Sequence, residues 1–401
     1  MGERLIPLSI GIAGAGVCGL AAAIALARDG ASVVVFDQFD APRPVGAGLM
    51  LQETGLAVLG ALGLRETIEN LGAPIRRLLG VSISSGRTVL DVRYAALRDG
   101  LTGLGVQRTA LFNVLFDAAK ANGVDITPNV RVTEADSTEG TLTDDRGRRH
   151  GPFDLVVDAL GARSVLSQQP KQDLAYGALW TTVPAPTGAP FQQDALQQRY
   201  LAARQMAGVM PSGRTQPEAK AMATYFWSLR TDAYDAFRTA PLAAWKQEAV
   251  ALWPETAPVL DHIKTHDDLA FARYRHRTHR PHTDGRIAHT GDSWHATSPQ
   301  LGQGANMALL DAYALALAMR ETSNVATGLS RYAQLRSGHI HLFQTMSWLF
   351  TPIYQSDSTL LPAVRDWAIA PISRLPLVRK LQAAMVSGAL GAPLAPLGLN
   401  G

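Results

Sequence analysis

The chain has 401 residues, of which 47% are apolar and 18% charged, with a net charge of +3. That is the balance of a globular enzyme, and the slight charge leaves nucleic acid without an electrostatic footing as a main partner. One cysteine, Cys18, excludes an internal disulfide framework and a cysteine-based zinc cluster, and makes a reducing, cytoplasmic compartment the default expectation. The length accommodates two or three domains, or one large domain carrying an insertion. No stretch reads as a membrane span, because the most apolar late segments contain His341 and Pro352 or are loosened by Gly388, Gly391, Pro393 and Pro396.

The N-terminal run begins with a basic residue and a long apolar stretch, superficially like a secretion leader. Glycines interrupt it, and a second apolar stretch, ASVVVF, follows an Asp29-Gly30 turn. Residues 4–37 are therefore expected to form a strand, a tight turn, a helix and a second strand. Within this unit Gly14-Ala15-Gly16-Val17-Cys18-Gly19 has the G-x-G-x-x-G spacing. Gly14 permits the turn, Gly16 lets the backbone approach a pyrophosphate, and Gly19 lets the helix pack closely. The free amides and partial positive charge of the helix start favour phosphate there. Asp37, followed by Gln38, stands at the end of the second strand, where a carboxylate accepts hydrogen bonds from both ribose hydroxyls. It disfavours a 2′-phosphate, so the dinucleotide is FAD or NAD.

A helix is expected over 53–62 and a hairpin over 78–92, with Ser85-Gly86 at its turn. Residues 105–132 read as strand, helix, turn and strand, with Arg108 at the helix start and Gly123 ending it. A buried strand follows at 153–160. From about 170 to 275 aromatic, strand-like stretches alternate with polar or helical pieces. Trp180, Tyr225 and Trp227 lie on strand alternation, and one face of this sheet is expected to roof a substrate, core packing being the equal alternative. RYRHRTHRPH spaces His276, His279 and His282 three apart, but four arginines would repel a cation, so no metal site is expected; a solvated strand or a nicotinamide-phosphate contact suits it better. The α/β style returns at Gly285.

Residues 291–312, GDSWHATSPQLGQGANMALLDA, place an acid, a glycine-rich turn and a helix start in sequence. Asp292 follows a strand and can reach a ribityl hydroxyl. Pro299, Gly302, Gln303, Gly304, Ala305 and Asn306 lead into a second helix whose free amides suit the anionic edge of a reduced flavin. A single nicotinamide dinucleotide has little use for this second site. His295 reads as a partner beside that loop.

This last motif, in order with the first glycine turn, PVGAGLML, VQRTALFNVL and DLVVDALGARS, resembles the flavoprotein aromatic monooxygenases of the p-hydroxybenzoate hydroxylase-like group. The resemblance implies an α/β chain. A discontinuous Rossmann-like FAD-binding domain (1–75, 100–168 and 276–330) carries an inserted, mostly antiparallel substrate sheet (76–99 and 169–275) and a C-terminal helical region (331–401). It implies FAD as cofactor, NAD(P)H and O2 as co-substrates, and hydroxylation of a small aromatic or other electron-rich molecule through a flavin C4a-hydroperoxide. By the same likeness Arg43 and the 46–48 loop, with Gly48, lie near the flavin, that loop permitting the flavin to move. Arg108 contacts its ribityl or pyrophosphate region, and Gly161 belongs to the cofactor set. The chain departs from the family at Leu160, where an acid usually precedes that glycine, which leaves direct NAD(P)H use less secure than FAD. Asp158, two residues earlier, is the one acid near enough to compensate.

Three rivals stand beside this reading. They are a quinone-ring or lipophilic-ring hydroxylase of the same fold, a flavin oxidoreductase without oxygen insertion, and a plain NAD-binding dehydrogenase or dinucleotide sensor. No W-x-W-x-I-P stretch is present, which removes the halogenase variant. The apolar C-terminal region caps the flavin domain, shelters a greasy substrate, touches a membrane surface or forms a homodimer contact; the sequence alone leaves these open.

Overall fold

The computed structural model describes residues 7–41, 47–167, 172–188, 190–279 and 282–400. A six-stranded sheet lies at the centre of the cofactor half. Its order is Thr283–Asp284, Ile287–His289, Leu155–Asp158, Ser9–Ala13, Ser32–Phe36 and Asp125–Thr127. Every pairing is parallel except the short Thr283–Asp284 hairpin. Parallel strands need crossovers, and the first is the helix Val17–Arg28. That helix is alanine-rich and buried along Cys18–Leu26 because it lies beneath a second helix, Gly304–Glu321. Small side chains let the two axes approach closely. Leu20 and Ile24, both fully buried, each contribute roughly 1.5–3 kcal/mol of apolar transfer.

The second large sheet has seven strands, ordered Ala270–His276, Gln172–Pro184, Met222–Arg230, Gln205–Pro211, Ala195–Leu201, Arg77–Ser82 and Thr88–Arg93. All its pairings are antiparallel except Arg77–Ser82 with Ala195–Leu201. The hairpin at 77–93 thus joins strands from beyond residue 170. One face of this sheet is covered by helices from 234–260, forming a separate core around Trp227, Trp245 and Trp253. Its other face looks toward the cofactor half. The expected α/β class with an inserted, mostly antiparallel sheet and C-terminal helices is the architecture observed. Those helices begin with the 30-residue Val325–Tyr354 and end with Pro376–Val386.

Candidate functional site

The first glycine turn is held by backbone sterics. Gly14 has φ +107°, and a Cβ there would lie 2.5 Å from the Ala159 carbonyl oxygen. At Gly19 a Cβ would lie 1.9 Å from the Gly14 carbonyl oxygen, so the helix start and the turn touch through glycine. Gly16 differs, since a Cβ at that position would meet nothing within 4 Å. It is the N-cap of Val17–Arg28 and provides no side-chain cap, so the first-turn amides, Val17 among them, face open space. Asp37 closes the turn from the neighbouring strand end. Its carboxylate accepts from the Ala15 amide at 2.7 Å and from the Phe39 amide at 3.2 Å. Gln38 follows it in the same chain turn.

The second site is built the same way. Gly291, at φ +56°, turns the chain after Ile287–His289, and Asp292 opens a short helical turn ending at His295. A 3-10 turn, Pro299–Leu301, leads through Gly302 at φ +62° into Gly304–Glu321, which has no side-chain cap. A Cβ at Gly304 would meet nothing within 4 Å; Ala305 follows within the same uncapped first turn.

These two helix starts are neighbours. The Cys18 thiol donates to the Ala308 carbonyl at 3.2 Å, and a Cβ on Gly291 would lie 3.5 Å from that of Cys18. Asp292 and Arg108 are exposed to solvent yet surrounded by protein, as in the wall of an open cleft. The surroundings raise the Asp292 carboxyl pKa, opposed by His295 and Arg108, and lower that of Arg108, opposed by Asp292. Two uncapped helix starts, open space before Gly16 and Gly304, and an acid–arginine pair fit an extended dinucleotide. The pyrophosphate would sit on the first start and an anionic flavin edge on the second.

Several side chains expected at the cofactor do other work. The Gly48 amide donates to the Thr224 hydroxyl at 3.0 Å, and a Cβ there would lie 2.4 Å from that oxygen. Glycine at 48 is therefore required by close approach to the sheet, its amide is already taken, and it is pinned rather than free to move with a flavin. Arg43 and Gly46 lie outside the described residues. Gln303 turns away and donates to the Val386 carbonyl at 2.6 Å. The Asn306 amide group accepts from the Gln52 backbone at 2.8 Å and donates to the Met50 and Gly302 carbonyls. It clamps the loop; it does not present a free group. Cys18 offers only its amide, because burial pushes its thiol pKa up and its sulfur faces the other helix. Gly161, at φ +74° with open space beside it, begins a 3-10 turn after Leu155–Asp158.

Asp158 does not stand in for the acid missing at Leu160. Its buried carboxylate accepts from Leu160 N, from the Ser164 hydroxyl at 2.7 Å and pairs with His289 Nδ1 at 2.8 Å. The arginine–histidine stretch is likewise not a solvated strand throughout. Arg277 is buried and binds the Ser167 carbonyl and hydroxyl, and the His279 ring meets His289 at 4.2 Å. Among the described residues no group of three potential ligands is placed to hold a metal.

A buried network that spacing did not reveal supports the second site. Asp311 accepts from the Gly291 amide at 2.8 Å, pairs with His295 at 2.6 Å and binds Arg336 at 2.7 Å. Burial alone would raise its pKa, but His295 and Arg336 outweigh this and hold the carboxyl down at about 2. The acid lies seven residues, about two helical turns, after Gly304.

The sheet above the cleft presents one aromatic face, and it is not the one that all three expected residues share. Trp180 is the cross-strand partner of Phe226, so the two point the same way and pack at 4.8 Å. Tyr225 and Trp227 flank Phe226 and so point to the opposite side, where both are buried against Trp245. Their assignment to the substrate is corrected to core packing. The other face carries Trp180, Phe226, Met210 and Thr224. Phe226 and Met210 cluster with Met50 and with Ala370, Ala383 and Val386 of the C-terminal region. Trp180 packs half-buried against them, and its Nε1 donates to the Tyr274 hydroxyl at 3.0 Å.

A Rossmann-like unit whose glycine turn meets a second uncapped helix start, roofed by an inserted sheet, defines a flavin-dependent oxidoreductase. A family model described as FAD binding domain matches residues 8–342, and the chain belongs to that family. It is an FAD-dependent monooxygenase. Among relatives, the FAD-dependent urate hydroxylase of Klebsiella pneumoniae is 27% identical over 347 residues, covering 82% of this chain and 86% of that protein. The 2-heptyl-3-hydroxy-4(1H)-quinolone synthase of Mycobacteroides abscessus is 28% identical over 353 residues, covering 84% and 88%. In fold the chain is similar to Klebsiella pneumoniae HpxO complexed with FAD and uric acid, with TM-score 0.78, 19% identity and coverage of 96% and 98%. It is also similar to 2-methyl-3-hydroxypyridine-5-carboxylic acid oxygenase, with TM-score 0.76, 22% identity and coverage of 94% and 96%.

Proposed function

We propose that the chain hydroxylates a small, electron-rich aromatic ring held between the Trp180–Phe226 face and the 299–304 turn, with NAD(P)H as reductant and O2 as oxygen source. The observation that carries this reading is the convergence of the two uncapped helix starts beneath an apolar, aromatic sheet face. Relatives named for urate and for a quinolone act on flat, nitrogen-containing rings, which supports a flat ring here. Bound FAD supplies the redox chemistry, drawing electrons from reduced nicotinamide and passing them to O2.

The protein's own part is placement and electrostatics. The first-turn amides following Gly16 would hold the pyrophosphate, and Asp37 would hold the adenosine ribose. The Gly304 and Ala305 amides would favour negative charge on the ring's pyrimidine edge, and Asp292 and Arg108 would flank the chain between the two ends. Trp180, Phe226 and Met210 exclude water and offer flat contact area to an aromatic substrate. Thr224 and Ser212, joined at 3.2 Å, fix the Gly48 segment against the sheet. The deciding assay measures NADH and NADPH oxidation by yellow, FAD-loaded protein with and without candidate phenols, purines and quinolones. A substrate that stimulates oxidation and gains one oxygen atom by mass supports the reading; stimulation that yields only hydrogen peroxide with every ring class overturns it.

A further inference from the structure

We propose that the C-terminal helical segment is a docking surface for an anionic lipid bilayer, and that the enzyme works lying on a membrane. Eleven large hydrophobic side chains are exposed among the described residues, and nine of them fall within 348–381. Trp348 is 70% exposed, Leu360 70%, Trp367 64% and Leu377 80%. Scattered single exposures are ordinary, whereas this concentration in one stretch of chain is not. The stretch includes two tryptophans, the residue type that favours the level of lipid headgroups.

The charges choose the occupant. From residue 345 to the end the only acids are Asp357 and Asp366. Asp357 is held by Arg230 and by the Tyr176 hydroxyl at 2.5 Å, and Asp366 by the Ser82 and Ser85 hydroxyls and Arg365. Arg374, Arg379 and Lys380 are exposed on the same segment. On the helix Pro376–Val386, Lys380 and Leu381 stand three and four positions after Leu377, so an apolar pair is bordered by a cation. The Arg87 guanidinium lies 3.9 Å over the Trp367 ring, bringing another positive charge to the same surface. Apolar side chains edged by cations complement an anionic leaflet. A second copy docked through the same patch would bring a second set of cations to the interface and, from this segment, no acid that is not already held. No helix of the described residues is long and apolar enough to cross a bilayer, so the contact is with the surface. The same helix reaches the cofactor half, because Gln303 at the second glycine turn donates to the Val386 carbonyl. Docking there sets the catalytic cleft close to the lipid.

The proposal stands apart from the substrate reading and is tested without turnover. Full-length FAD-loaded protein is sedimented with phosphatidylcholine vesicles, and with vesicles containing about one-third phosphatidylglycerol, at low and high salt. Binding to the anionic vesicles, weakened by salt, is expected. Leu377→Glu/Leu381→Glu should lower the apparent partition at least about tenfold, and Arg379→Glu/Lys380→Glu should lower it on the anionic vesicles by a similar factor. Unchanged flavin content certifies each variant as folded, and the second pair, which alters only exposed charges, carries the test if the first loses flavin. Failure to bind anionic vesicles, or binding that neither variant weakens, overturns the proposal. So does a solution dimer that Leu377→Glu/Leu381→Glu dissociates while vesicles remain unbound, since the face is then a subunit contact.

Discussion

Gln52 and Asn306, 254 residues apart in sequence, share a buried hydrogen bond in which the Gln52 backbone amide donates to Asn306 Oδ1 at 2.8 Å. The same Asn306 side chain donates to the Met50 and Gly302 carbonyls, and the Tyr94 hydroxyl donates to Gln52 Oε1 at 2.8 Å. One asparagine thus ties the second glycine turn to residues 50–52, just beyond the Gly48 amide that bonds Thr224 of the sheet. Gly55 accommodates it, since a Cβ at 55 would lie 2.3 Å from Asn306 Oδ1.

Asn306→Ala leaves the Gln52 amide buried without a partner, a loss of about 1–3 kcal/mol. A melting temperature several degrees lower and a smaller fraction of bound flavin are expected. Asn306→Asp keeps the acceptor and should recover part of both. If the alanine variant melts and binds flavin like the parent, the clamp has no energetic weight.

The glycines of the first turn should separate folding from binding. Gly14→Ala forces a side chain into φ +107° and into the Ala159 carbonyl, so the folded protein should lose stability outright. Gly16→Ala meets no protein atom within 4 Å, and its extended φ of −77° suits any residue. Its methyl group projects into the space a pyrophosphate would occupy. The ligand-free protein should therefore melt within a degree or two of the parent while FAD affinity falls by roughly tenfold or more, about 1.4 kcal/mol. Fluorescence titration of stripped protein with FAD measures the second effect and calorimetry the first.

How far the sequence discloses this site depends on whether function sits in backbone or in side chains. The two helix starts and their order in the chain are legible because glycine spacing encodes backbone geometry directly. Gly14, Gly16, Gly19, Gly302 and Gly304 could be read from position alone. Side-chain direction is another matter. Tyr225 and Trp227 alternate correctly, but which parity faces the cleft is set by pairing Phe226 with Trp180 across the sheet, a contact between strands more than forty residues apart. Asp311, His295 and Arg336 meet only through packing of Gly304–Glu321 against Val325–Tyr354, so no local pattern marks them. Gly48 looked like a flexible ring contact and is instead fixed by Thr224, 176 residues away.

Acid should destabilise the protein in two stages. His339 is buried neutral, accepting from Arg336 at 3.2 Å and donating Nε2–H to the Gly388 carbonyl. Burial, reinforced by the Arg336 charge, brings its pKa from 6.5 down to about 3. The unfolded chain therefore takes up this proton first, and stability present above about pH 6.5 erodes as the pH falls toward 3. Asp311 acts lower, because its folded value of about 2 lies under the ordinary 3.8. Its contribution is full above about pH 4 and disappears as the pH drops through 2. In His339→Phe the upper limb of a stability–pH curve measured by urea melts should flatten, while the lower limb stays. Asp311→Asn should cost about 3–5 kcal/mol at neutral pH, since it leaves the Arg336 charge buried without its partner.

The two faces of the inserted sheet provide the sharpest contrast between stability and substrate handling. Trp227 is almost wholly buried beside Trp245, and Trp227→Ala opens a cavity costing about 3–5 kcal/mol. Whatever survives folding should bind substrate with an unchanged KM, because the side chain points away from the cleft. Trp180 is half-buried, packed on Phe226 and bonded to the Tyr274 hydroxyl. Trp180→Ala should cost less stability, about 1–2 kcal/mol, and raise the KM of the aromatic substrate by tenfold or more. Replacing it with Phe keeps the flat surface but removes the indole N–H, so KM should recover most of the way while Tyr274 loses its donor. The comparison that decides the point is the ratio of KM change to melting change in the two alanine variants. Equal ratios would mean that neither face is dedicated to the substrate, and the Trp180–Phe226 surface would then be core like its reverse side.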